Sequence, residues 1–375
     1  MPRHYLDHAS TSPARPEVVE AMLPWLGGAA DPGRVHSEGR RARAAVEEAR
    51  EQVAGLLGAR PREVVFTSGA TEAIATAVFG ATAGGRGDHV VCPAVEHSAV
   101  RDASARHHVS LVGVDRAGRV DPDEVVAAIC PGETALVQVQ WANHEVGTVQ
   151  PVREVVEACR ARGVLVHVDG ASAAGHVPIA FDELGADLLS VSAHKLGGPQ
   201  GTGALLVRRG LRLLPLLVGG EQERSRRAGA ENVAGIVGFG AAAAVLSAGT
   251  RLGAEAEAAR ALTSRTLAAA TAVDGVVAYG DVEDRVPQLL CLGVGGVQAE
   301  AVLLGLDQAG VAVHSGSACS SESLEPSPVL EAMGVDAERS LRVSVGWSTT
   351  ADNVDAFCAA LPDVVGRLRE LVAQG

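Results

Sequence analysis

Lysine is all but absent from this chain: of 375 residues and 32 basic side chains, one is lysine, at position 195, and 31 are arginine. Arginine serves as well for charge and ion pairing, but it cannot lose its proton near neutral pH and attack a carbonyl carbon. A single lysine among so many arginines therefore points to amine chemistry, with Schiff-base formation foremost. Aromatic residues are also few, at 3% of the chain, so alanine, valine, leucine and glycine must fill the core. No run of lysine or arginine forms a phosphate-tracking stripe and the formal net charge is −13, which speaks against direct nucleic-acid binding. The apolar stretch Val233 to Ala248 is broken by glycines and too short to span a bilayer. The opening Met-Pro-Arg-His-Tyr-Leu-Asp-His lacks the apolar core of a signal peptide. The six cysteines include no CxxC pair, which argues against both a disulfide framework and a zinc ribbon. The expectation is a soluble, cytoplasmic protein with reduced thiols, no membrane contact and no metal site.

What is present is a repeated alternation of short apolar runs and helical stretches. Strands are expected at Glu63–Phe66, His89–Cys92, Ser110–Gly113, Ala135–Val139, Val164–Val168, Asp187–Val191 and Gly201–Val207. Helices are expected at Glu38–Gly58, with Ala42, Val46, Ala49, Val53 and Leu56 on one stripe, and at Ala73–Phe79, Pro122–Ile129, Val152–Arg162 and Asn232–Ala248. Strands without in/out alternation, separated by helices, indicate an α/β fold: a mostly parallel sheet covered on both faces. From about Arg251 a long Ala/Glu/Arg helix is followed by strand-like segments at Val276–Tyr279 and Leu289–Val294. This change of pattern suggests a large domain over residues 16–250 and a smaller α+β domain made of 1–15 with 251–375.

Ligands of open parallel sheets gather beyond the carboxyl ends of the strands, and several reactive residues fall there. Thr67-Ser-Gly-Ala-Thr-Glu72 follows a strand and opens a helix. Its small residues, Ala70 and Thr71 included, could close backbone N–H groups and a hydroxyl around a phosphate, or serve only as a helix cap. Asp169 ends a strand, where a carboxylate could pair with a protonated pyridine nitrogen or cap a helix. Lys195 lies one strand later, flanked by Ser192 and His194, and His97 follows another strand end and could cover a flat ring. Amine, phosphate cradle, ring acid partner and ring cover together suggest pyridoxal 5′-phosphate.

Among the cysteines, Cys92 and Cys291 lie in apolar strands, Cys159 and Cys358 in helices, and Cys130 beside a Pro-Gly turn. Buried cysteine is usually a small hydrophobe. Cys319 differs, in Ser315-Gly-Ser-Ala-Cys-Ser-Ser-Glu-Ser-Leu-Glu-Pro326, where the composition offers nothing to bury it. Exposed thiols near polar groups are the reactive kind, and a Gly/Ser-rich stretch suits a thiol that collects sulfur at one place and delivers it at another.

With Ser192-Ala-His-Lys195, Thr67-Ser-Gly-Ala-Thr-Glu72, and Ser315-Gly-Ser-Ala-Cys319 with Ser323-Leu-Glu-Pro-Ser327, the chain resembles the cysteine desulfurases. These are pyridoxal-phosphate enzymes of the class V aminotransferase family and of the fold type I transferases. The likeness runs from Tyr5-Leu-Asp-His8 to Thr349 and is nearest the subgroup with a long catalytic loop, known from iron–sulfur assembly. It implies that Lys195 holds the cofactor, Asp169 faces its pyridine nitrogen and His97 stacks on its ring. It implies that Thr71, Ser192 and His194 bind its phosphate, with Ala70 beside them. Arg342 would receive the substrate carboxylate, with Asn143 as a second substrate contact, and Cys319 would carry sulfur as a persulfide to a protein acceptor. L-cysteine would be the substrate, and the protein a homodimer joined through Arg224 to Asn232.

Three positions depart from the family pattern. His144 stands where an asparagine usually contacts the ring, Ser172 where a glutamine touches the ring hydroxyl, and Ala230 where a threonine reaches the partner's phosphate. Each change alters a hydrogen bond of roughly 0.5–1.5 kcal/mol, and His144 with Ser172 could compensate for each other. Two other readings stay open: a class V lyase acting on selenocysteine or cysteine sulfinate, and a degenerate scaffold protein.

Overall fold

The computed structural model describes residues 3–29, 31–315 and 326–374. Its central sheet has seven strands: β2 (Val64–Thr67), β3 (His89–Pro93), β4 (His108–Val112), β5 (Thr134–Gln140), β6 (Leu165–Asp169), β7 (Leu188–Ser192) and β8 (Gly203–Val207), β1 being the short His4–Tyr5. They lie in the order β2-β8-β7-β6-β5-β3-β4. All pairings are parallel except those of β8, which runs against both β2 and β7.

The strands lack in/out alternation because both faces are covered. Val64, Phe66, Val137, Val139 and Leu189 join one core, and their chain neighbours Val65, Leu136 and Leu188 join another on the opposite face. The first core packs under helices Pro16–Leu26, Ser37–Leu56 and Val233–Ser247. With little aromatic volume available, close approach replaces bulk: a Cβ on Gly240 would lie 2.6 Å from Ala49 Cα. The expected stripe Ala42, Val46, Ala49 and Val53 is indeed the buried one.

A separate core is built around the antiparallel sheet β12-β10-β9, where β9 is Val276–Tyr279, β10 is Leu289–Val294 and β12 is Ser340–Ser344. Helices Arg251–Thr271, Ala299–Gln308 and Ala351–Gln374 pack on it, and so does Leu6 from the N-terminal segment. β1 pairs in parallel with β11 (Val311–Ala312). The chain then returns to the large sheet, where Ser12 N donates to His194 O at 2.9 Å. Two sequence expectations change. β4 begins at His108 and is an edge strand with exposed positions, and the helix expected from Ala73 starts at Ala70. No single helix among the described residues is long and apolar enough to cross a membrane.

Candidate active site

The carboxyl ends of β2, β5, β6 and β7 open into a cavity of about 470 Å³ whose far wall is supplied by Ser10, Thr11 and Arg342. Lys195 follows β7 in a single turn, Ala193–Lys195, and its Nζ lies 3.5 Å from Ser172 Oγ. Asp169 closes β6. Its Oδ1 accepts from Ala171 N at 3.0 Å and from Ser190 Oγ at 3.3 Å, leaving Oδ2 for the cavity.

His97 caps the helix Ser98–Ser104, its Nδ1 accepting from Ala99 N at 3.1 Å. That bond places the ring proton of a neutral imidazole on Nε2. Burial first, then His144 and Lys195, push its pKa down to about 3. His144 meets it edge-on, with ring centroids 4.8 Å apart, and burial, Lys195 and Arg342 push His144 down to about 3 as well. His194 Nδ1 pairs with Thr11 Oγ1 at 3.1 Å, and burial lowers its pKa to about 4.

Helix Ala70–Ala81 points its first turn into the same space, and its N-cap Gly69 provides no side-chain cap. The N–H groups of Ala70 and Thr71 lie in the first turn without a hydrogen-bond partner among the described residues. Together with the buried Ser192 beside them, they could cradle an anion on the positive end of the helix. β8 makes room for it. Gly203 registers with both Thr67 and Ser192, and a Cβ there would lie 2.7 Å from Gly69 Cα and 2.6 Å from Val191 O.

Arg342 comes from β12. Its Nη2 donates to Asp7 Oδ1 at 3.1 Å and Ser10 Oγ at 2.6 Å, and its Nη1 to His144 O at 3.1 Å. The guanidinium is thus held at the cavity by the N-terminal segment of the chain.

One expected site residue lies elsewhere. Asn143 is fully buried behind the wall, with Oδ1 accepting from Glu145 N and Val146 N and Nδ2 donating to Val95 O. The expectation of a substrate contact is therefore corrected: Asn143 braces the turn that presents His144. Ser172 meets Lys195, while His144 turns to His97 and Glu145, and both line the same cavity. Ala230 lines a smaller neighbouring cavity with Arg227 and Thr202. Cys319 lies outside the described residues. The flanking residues are fixed beside the site: His314 pairs with Arg342 through backbone hydrogen bonds, and Ser327 Oγ donates to Glu145 Oε2 at 2.5 Å.

Sequence reasoning missed Asp7, Glu96 and Glu145. Glu96 precedes His97, is buried, and has Oε1 accepting from Gln140 N at 2.6 Å and Oε2 with no partner among the described residues. Burial, then the charge of Asp169, pushes its carboxyl well above the usual range. The adjoining His97 was the available signal.

The family model of the class-V aminotransferases matches residues 4–357. The chain belongs to the class-V aminotransferase family. It is 42% identical over 383 residues to the putative cysteine desulfurase IscS 1 of Bacillus subtilis, covering 98% of this chain and 100% of that one. It is 38% identical over 379 residues to the cysteine desulfurase IscS of Dictyoglomus turgidum, covering 98% and 95%. A solved NifS-like protein superposes with a TM-score of 0.90 at 30% identity, covering 98% of this chain and 100% of that one.

Members of this family are pyridoxal-phosphate enzymes, and the residues present fit that cofactor. The cavity offers an amine, an accessible carboxylate oxygen, an imidazole face and an uncapped helix N-terminus. The side-chain-free surfaces of Gly69 and Gly203 leave the cradle open for a phosphate.

Proposed function

We propose that this protein is a cysteine desulfurase that takes sulfur from L-cysteine, releases L-alanine and carries the sulfur as a persulfide on Cys319. The observation that carries the reading is the convergence of Lys195, Asp169, His97 and the open helix N-terminus on one cavity with Arg342 on its wall. The names of the full-length relatives support the choice of substrate.

Pyridoxal phosphate, when bound, supplies an electron sink that acidifies the substrate Cα–H and weakens the Cβ–S bond. Lys195 Nζ would hold its aldehyde carbon, Asp169 would keep its pyridine nitrogen protonated, and His97 would lie against its ring. Ala70, Thr71, Ser192 and His194 would bind the phosphate through N–H, hydroxyl and imidazole groups, and Ser172 would position Lys195 Nζ. Arg342 would receive the α-carboxylate of the substrate in exchange for its contact with Asp7.

Lys195 Nζ, as a free amine, would take the substrate Cα proton. Cys319 Sγ, as thiolate, then attacks the substrate sulfur. The S–S bond would form as the Cβ–S bond breaks, with the bonding pair staying on Cβ; a proton taken up at Cβ and the Cα proton returned by Lys195 Nζ would then give alanine. The persulfide passes to a protein acceptor serving iron–sulfur assembly or thiolation. The cytoplasm is the proposed compartment, because a thiol that must return to the reduced state suits it.

Two structural readings go with this function. The first is a large domain over residues 16–250 and a smaller one made of 1–15 with 251–375, a reading supported by the separate core that Leu6 shares with β10 and β12. The protein is a homodimer joined around Arg224–Asn232, a reading supported by the exposed Leu214, Leu217 and Val218 nearby in the chain.

The test is release of alanine and sulfide from L-cysteine with a reductant by native protein and by Lys195→Ala. The reading expects both products from the first and neither from the second. Turnover of selenocysteine or cysteine sulfinate without turnover of cysteine would replace this reading with the lyase one.

A further inference from the structure

His144 occupies the cavity wall edge-on to His97, at a position where sequence reasoning expects an amide. A neutral imidazole carries one proton on one of two nitrogens, and the group facing one nitrogen decides what the other presents. Here Nε2 lies 3.5 Å from Glu145 Oε1, while Nδ1 is buried with no partner among the described residues.

Glu145 itself is fixed from its other side. Ser327 Oγ donates to Oε2 at 2.5 Å, and the same hydroxyl accepts from Leu330 N at 3.2 Å to cap the helix Pro328–Ala332. A rotating serine hydroxyl supplies one proton, so that capping bond leaves its hydrogen for the carboxylate. The turn carrying Glu145 and His144 is rigid too, because Asn143 Oδ1 accepts from Glu145 N at 2.8 Å.

We propose that Glu145 is a positioning residue for His144, holding it as the neutral Nε2–H tautomer, with Ser327 orienting the carboxylate. Glu145 Oε1 accepts the Nε2 proton, and Nδ1 stays an unprotonated acceptor. Burial and the charges of Lys195 and Arg342 keep this imidazole neutral, and Glu145 decides which of its nitrogens carries the proton. The consequence for the cofactor rests on the function proposed above; the tautomer does not.

The carboxylate form is required for this arrangement. Burial pushes the Glu145 carboxyl up to about 7, against the pull of Ser327, Arg342, Arg101 and His314. Cys291 on β10 is a further titratable neighbour, and burial drives its thiol far above the usual range, so it stays neutral. The ionised arrangement therefore belongs to pH 8 rather than pH 6.

Full-length protein with ¹⁵N-labelled histidine, with and without pyridoxal phosphate, would be examined by long-range ¹H–¹⁵N spectra at pH 8. The His144 signals are those lost in His144→Asn. The expected result is a proton on Nε2 in native protein, apo and loaded alike. In Glu145→Gln, whose amide can donate to Nε2, the proton moves to Nδ1, and pyridoxal phosphate binds about three- to tenfold more weakly by absorbance titration. A native spectrum with the proton on Nδ1 overturns the proposal, and that measurement stands even if the variant does not fold. A folded Glu145→Gln protein with the tautomer unchanged overturns it as well. Failure of native protein to bind pyridoxal phosphate would count against the function while leaving the apo spectra to decide the tautomer.

Discussion

Replacing Glu223 with alanine removes one half of a fully buried ion pair, and the structure fixes how costly that should be. Arg50 and Glu223 side chains are each 3% exposed. They meet through two parallel bonds, Nη1 to Oε2 at 2.7 Å and Nη2 to Oε1 at 2.8 Å. Glu223 Oε2 also accepts from Phe66 N at 3.0 Å, and Arg50 Nη1 donates to Val64 O at 3.0 Å, so the pair ties a helix and β2 to a distant loop. Glu223, Arg224 and Ser225 all have left-handed backbones, with φ of 47°, 58° and 61°, a conformation costing non-glycine residues roughly 1–2 kcal/mol each. The pair holds that strained turn in place.

Glu223→Ala leaves Arg50 charged and buried without its partner, which costs about 3–5 kcal/mol. Glu47 also contacts Arg50, at 3.2 Å, but is 44% exposed, so Glu47→Ala should cost less than about 1 kcal/mol. Urea denaturation of both variants, read by circular dichroism, gives the comparison. Trypsin should also cut faster after Arg224, Arg226 or Arg227 in Glu223→Ala. A double variant, Arg50→Met with Glu223→Leu, should recover much of the loss, because it leaves no orphan charge. If Glu223→Ala and Glu47→Ala lie within 1 kcal/mol of each other, the pair does not hold the loop and the reasoning fails.

Three further outcomes follow from the same geometry. Gly203→Ala drives a Cβ against backbone atoms of Gly69 and Val191, so it should cost about 1–3 kcal/mol of stability and displace the phosphate cradle, measured as weaker pyridoxal phosphate binding. Asp7→Asn removes the charge that competes for Arg342, so KM for L-cysteine should fall a few-fold with kcat little changed; a raised KM would show that Asp7 orients Arg342 rather than competing. Stability should fall on acidification below pH 6.5, because burial lowers His8, His167, His176 and His194 to about 4 and His97 and His144 to about 3. The unfolded chain binds those protons first, so the stability they contribute is present above 6.5 and lost as pH falls through 4, at up to about 1.4 kcal/mol per pH unit for each histidine. Glu96, Glu145 and Glu231, raised by burial, oppose this with three groups against six. Urea midpoints that stay level between pH 7 and pH 5 would contradict the balance.

The large sheet and most of the residues lining the cavity were legible because their signals are local. Short apolar runs mark β3, β5, β6 and β7, and the residues just past their ends are the ones that reach the cavity. Lys195 was legible through the rarity of lysine. What was hidden depends on partners far apart in sequence. Asp7 finds Arg342 across 335 positions, and Glu145 finds Ser327 across 182. The reversal of β8 leaves no mark in its composition, because a strand buried on both faces reads the same in either direction. Asn143 misled because its amide answers backbone groups of its own turn, a need that only three-dimensional accounting reveals.

The central claim, sulfur carried on Cys319, is tested most directly by the intact mass of the pyridoxal-phosphate-loaded protein after brief exposure to L-cysteine without reductant, followed by peptide mapping. The account expects one added sulfur atom, located on Cys319, reversed by dithiothreitol and absent from Cys319→Ala. Alanine formed with no sulfur on Cys319, or formed equally well by Cys319→Ala, would contradict it.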